Sequence, residues 1–153
     1  MTLVEVVKAI ETAAIAEPSV ALIIPNDIFR LNAKPDAEYG VFGWTQQQHV
    51  LSGDLVTFAF ALFYVDRLTE DKHNELEVQS VGISTISDVL RKLEAAGVYL
   101  DGDATFNTFN QRFVDECAGV WCNVRLQVPA GWVCPDDEWW QDFSDDFGHS
   151  FDH

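Results

Sequence analysis

The ten residues Val56-Thr57-Phe58-Ala59-Phe60-Ala61-Leu62-Phe63-Tyr64-Val65 carry no charge and are almost all aromatic or aliphatic. That run is too short for a membrane span, which needs roughly 18 or more apolar residues. Its aromatic and β-branched content instead reads as a buried strand, extending over Leu55 to Asp66. Ser52-Gly53-Asp54 before it has turn composition, and Val41 to Val50 before that reads as a more polar strand, through Gln46, Gln47 and Gln48. The two predict an antiparallel hairpin. A long inner strand cannot stay exposed, so other elements must cover its apolar face.

A second helix is expected to supply that cover, and a first helix packs through one face. Thr2 and Glu5 form a capping-box pair, after which Leu3, Val6, Val7, Ile10 and Ala14 recur at helical spacing until Glu17-Pro18. The second helix begins at Asn74, with Glu75 and Glu77 in its first turn and Gly97 as its stop. Val78, Val81, Ile86, Val89, Leu90 and Leu93 form its apolar stripe, and Val81-Gly82-Ile83 is a weak spot where the start could slip toward Ser84. Val20 to Ile24 is β-prone, and Ala33-Lys34-Pro35-Asp36 has loop character. Thr105 to Phe113 and Val120 to Val128 predict a last pair of strands. The second alternates Asn123, Arg125 and Gln127 with Val124, Leu126 and Val128, and Pro129 closes it. The order predicts an α+β fold, a small antiparallel β-sheet flanked by two main helices. At 153 residues it makes one domain, residues 1–129.

Residues 130–153 differ in kind. They hold seven Asp and Glu and no Lys or Arg, so they carry −7 of the formal −16. They also hold Trp132, Trp139, Trp140, Phe143, Phe147 and Phe151. Trp139, Phe143, Phe147 and Phe151 are spaced four apart, which on a helix makes one aromatic stripe. Because large aromatics are costly to leave in water, these six residues are the candidate inter-subunit contacts of an acidic, aromatic C-terminal arm. A flexible tail, or an arm folded back onto its own domain, is the alternative.

The charge disfavours sequence-independent contact with a nucleic acid backbone. Catalytic and metal motifs are thin. Asp101-Gly102-Asp103 lacks the spaced oxygen ligands and closing Glu of a calcium loop and reads as a turn. His49 stands alone in a strand, His73 lies in a charged loop, and His149 and His153 sit in the tail; nothing gives the pair of histidines plus acid of a metal or hydrolase site, and no phosphate loop or nucleophile elbow occurs. Cys117, Cys122 and Cys134 have no zinc spacing and are expected as buried thiols. No enzymatic activity and no cofactor or metal are expected.

Several segments are similar to proteins of phages and prophages of Bacteroides-type bacteria. They are Asp27-Ile28-Phe29-Arg30-Leu31-Asn32 with Lys34-Pro35-Asp36, Leu62-Phe63-Tyr64-Val65-Asp66-Arg67-Leu68, Asn74-Glu75-Leu76-Glu77-Val78-Gln79-Ser80, Phe113-Val114-Asp115-Glu116-Cys117-Ala118-Gly119-Val120-Trp121, and Val124 to Pro129. The similarity covers about residues 2–129. The element order also resembles tail-terminator and tail-completion proteins, and is compatible with the stacked neck rings of crass-like podoviruses.

The resemblance implies a non-catalytic virion subunit at the portal, neck or tail, made in the host cytoplasm. Its partners would be copies of itself in a six- or twelve-fold ring and the adjacent portal, neck or tail proteins, with genomic DNA passing unbound through the lumen. No membrane role is implied. The alternative is an acidic protein-binding module, an inhibitor or DNA mimic. An unrecognised enzyme would have to draw on His49, His73 and Asp66.

Overall fold

The computed structural model describes residues 1–26, 40–68, 73–112 and 116–129. In chain order these form α1 (Leu3–Ile15), β1 (Leu22–Pro25), β2 (Val41–Gln46), β3 (Val50–Ser52), β4 (Leu55–Arg67), α2 (Glu75–Ala95), β5 (Tyr99–Leu100), β6 (Thr105–Arg112) and β7 (Glu116–Pro129). The fold is α+β. One mixed sheet runs β1-β2-β4-β7-β5, with β3 also on β4 and β6 also on β7. All pairings are antiparallel except β1 with β2, which is parallel.

The sheet is organised around β4. It pairs with β7 without interruption from Leu55↔Pro129 to Arg67↔Cys117, and on its other side with β2 and β3. Because strand side chains alternate, its even residues Phe58, Phe60, Leu62 and Tyr64 enter one core with Phe42, Trp44, Val120, Cys122, Val124 and Leu126. Both helices cover this same face, through Val6, Ile10, Ala13 and Ala14 of α1 and Val78, Ile86, Val89 and Leu93 of α2. The odd residues point the other way, where Val65 joins a smaller cluster with Ile24, Val41 and Cys117.

The hairpin and both helices form where the sequence predicts, with several differences. Thr2 caps α1 by accepting the Glu5 amide at 3.3 Å, while its hydroxyl donates to the Glu5 carboxylate. Asn74 makes no such cap; its amide donates instead to the Arg67 carbonyl, tying the start of α2 to the end of β4. The helix runs unbroken through Gly82, which is buried where α2 meets the sheet. A Cβ there would lie 2.9 Å from Val120 and 3.0 Å from Tyr64, so glycine is what lets the helix approach this closely. Val81, expected in the apolar stripe, is exposed as a result, and Thr85 takes the inward position. Its hydroxyl lies 2.6 Å from that of Ser19, whose carbonyl accepts the Tyr64 hydroxyl. Gly97 ends α2 with φ +91, and the Val98 amide closes the turn on the Leu93 carbonyl.

The predicted strand Val41 to Val50 is broken. Gln46 faces Phe60 and Val50 faces Thr57, so three residues oppose two, and Gln47–His49 form a bulge. A similar interruption separates β5 from β6 at residues 101–104, which includes the predicted turn Asp101-Gly102-Asp103. The strand β7 begins at Glu116, four residues before the expected Val120.

Candidate interaction surface

The residues that invite catalytic readings lie in separate places. At the bulge, the His49 ring accepts the Ala59 amide at Nδ1 (3.2 Å) and faces the Gln46 side-chain oxygen with Nε2 (3.1 Å). It is flanked by Phe58 and Phe60, with centroids 5.3 and 5.7 Å away. Asp66 lies seven residues further along β4, about 23 Å at ~3.3 Å per residue, and accepts the Arg67 amide at 2.7 Å. His73 is exposed just before α2, near that end and away from His49. The three side chains that a catalytic reading would need are therefore not brought together. Asp101 pairs loosely with Arg125 at 3.7 Å. Among the described residues no three His, Cys, Asp or Glu side chains gather into a metal-sized group, and no buried side-chain polar atom lacks a partner.

The two described cysteines, Cys117 and Cys122, are buried. Burial pushes the Cys122 thiol up to about 11, leaving little thiolate near neutrality. Tyr64 is pushed up to about 12, first by burial and then by the Asp66 carboxylate nearby. A shallow groove of about 460 Å³ runs between α1 and the end of α2, lined by Ala9, Ala13, Ala16 and Ala96 with Lys8 and Lys92 at its sides. Lys92 already holds the buried Glu17 carboxylate at 2.9 Å, so this groove joins the two helices and offers no free charge from that lysine.

The surface that stands out is the sheet face without helices. The register places Thr45, Ala59, Ala61, Asn123, Arg125 and Gln127 on it, together with the cross-strand neighbours Phe63 and Trp121. Gln47 reaches across β4 to donate to Asn123 at 2.8 Å, which requires the small side chains of Ala59 and Ala61 beneath. Further along, the Phe109 ring lies against Gly119, where a Cβ would collide with the Tyr64 carbonyl. None of the described strand residues on this face is acidic, although the chain holds 25 Asp and Glu. Arg67 and Arg125 are exposed on it. The helical side is the reverse: Glu5, Glu77 and Glu94 are exposed there, and Glu11, Glu75 and Asp88 partly so.

No family model matches the chain, and a search of curated proteins finds no relative.

The six aromatic residues Trp132, Trp139, Trp140, Phe143, Phe147 and Phe151, with Cys134, His149 and His153, lie outside the described residues. So do residues 27–39, including the Lys34-Pro35-Asp36 segment. No described helix is long and apolar enough to cross a membrane. The helix-free face escaped sequence reading because it becomes visible only when register assigns the odd residues of β2, β4 and β7 to one side. The alternation of Asn123, Arg125 and Gln127 was the available signal.

Proposed function

We propose that this chain is a non-catalytic structural subunit that assembles with copies of itself into a ring at the neck or tail of a bacteriophage virion. The observation that carries the reading is the division of the surface between an acidic helical side and a sheet face whose described strands bear Phe63, Trp121, Arg67 and Arg125 and no carboxylate, Asp101 lying at its edge against Arg125. A closed ring repeats one heterologous interface, so each subunit must offer two unlike, complementary surfaces. The acidic helical side and the opposite sheet face are the two surfaces this reading assigns to those roles. The similarity of residues 2–129 to proteins of Bacteroides-type phages supports the same reading.

In such a ring the carboxylates have a use. Twelve copies at −16 each carry roughly −190, a field that repels DNA near the lumen and lets it slide. Adjacent portal, neck or tail proteins would take the two rims. Native mass spectrometry of the purified full chain tests the proposal. A closed oligomer of six or twelve copies is the expected result, and a strict monomer at high concentration, with no binding to portal or tail components, overturns it.

The gathering of carboxylates on the helices also favours a second reading, an acidic module that inhibits a basic protein or mimics DNA. That reading requires a monomer whose helical side binds a basic host protein, with binding lost when Glu77 and Glu94 are neutralised.

A further inference from the structure

We propose that the helix-free sheet face is a docking surface for an acidic, aromatic peptide, namely residues 130–153 of a neighbouring copy. The choice of a neighbour rests on the ring reading above; the match between surface and segment does not.

Three observations lead to this occupant. The face presents no carboxylate from any described strand, in a chain whose formal charge is −16. Its charges are the guanidinium groups of Arg67 and Arg125, the latter 60% exposed and only loosely held by Asp101. The segment is the complement: seven acids, no Lys or Arg, and six large aromatics.

Among the described residues the helical side carries Glu5, Glu11, Glu75, Glu77, Asp88 and Glu94 against Lys8, Arg91 and Lys92, whereas the sheet face carries Arg67 and Arg125 against Asp101, so the segment is repelled less by the sheet face. The face also offers apolar contact. Phe63 and Trp121 lie side by side across β4 and β7, both half-buried, on the same face as the small, buried Ala59 and Ala61. Half-buried aromatics beside small residues suit the rings of a partner, while an arginine can both pair with a carboxylate and stack on a ring.

Connectivity agrees. The segment starts directly after Pro129, at the end of the strand that carries Trp121 and Arg125. Twenty-four residues can reach about 80 Å when extended, whereas five strands span only about 24 Å. The segment is therefore long enough to leave its own sheet and cross to the next copy.

The test uses the full chain with a benzophenone amino acid in place of Phe143, mixed with isotopically heavy copies and irradiated. Cross-links from light to heavy chains, mapping to the peptides that contain Phe63 or Trp121, are the expected result. Links confined to one chain mean that the segment docks on its own sheet and overturn the proposal, as do links to the helices or no links at all.

Native mass spectra of the same samples separate the two ideas. A closed oligomer without links to the sheet sinks this inference and leaves the ring intact, whereas a monomer sinks both. A second arm uses the full-length chain with N123E and R125E together, both surface positions. Assembly should weaken about tenfold or more while the urea midpoint changes little. Unchanged assembly would contradict the proposal, and a control S87E on the helical side should have no effect.

Discussion

The imidazole of His49 accepts the Ala59 amide at Nδ1, so its proton sits on Nε2 and points at Gln46. Both ring nitrogens are thereby committed to the backbone irregularity between β2 and β3. Replacing the ring with alanine leaves that amide without its acceptor, which costs about 1–3 kcal/mol. His49→Ala should lower the unfolding free energy measured by urea titration by that amount, and H49N should recover part of it. Tyr64 and Cys122 make a different prediction. Both groups titrate higher in the folded chain than in the unfolded one, from 10.0 to about 12 and from 9.0 to about 11. Above about pH 9 the unfolded state therefore binds fewer protons. The stability they contribute is full below pH 9 and falls as pH climbs toward 12. Urea titrations across pH 8–11 should reveal this slope, and the Tyr64→Phe, Cys122→Ala double variant should flatten it. Such a variant that kept the full slope would assign the alkaline loss to other groups.

Among the elements, β4 was legible because a ten-residue uncharged run admits few other structures, and α1 because Thr2, Glu5 and Pro18 mark both ends. Gly82 misled for a physical reason. On propensity alone glycine weakens a helix by about 1 kcal/mol, but here it sits where α2 touches Val120 and Tyr64. Close packing outweighs propensity at that point. The bulge at Gln47–His49 and the two-residue β5 carry no local signature, since each depends on what the neighbouring strand offers. The face opposite the helices was illegible for a similar reason: Phe63 and Trp121 are 58 positions apart in sequence, and only the β4–β7 register makes them neighbours. Gly119 tests that register. Any Cβ there meets the Tyr64 carbonyl and the Phe109 ring, so Gly119→Ala should cost about 1–3 kcal/mol in chemical denaturation. A neutral result would mean that β4 and β7 can separate locally at no cost.

For the whole molecule, the core formed by the described residues runs from Val6 of α1 to Val128 of β7. Removing residues 130–153 should therefore leave cooperative thermal unfolding in place while weakening self-association. A truncated chain that melts without cooperativity would show that the final segment belongs to the core. The placement of β4 has one more consequence, for biosynthesis. Its uninterrupted partner β7 is the last described strand, so a ribosome must add another 62 residues after Arg67 before the pairing can finish. At roughly 5–20 residues per second that takes about 3–12 s, during which the stickiest part of the nascent polypeptide waits unzipped. Yield in the host should therefore depend on chaperones that shield the emerging chain.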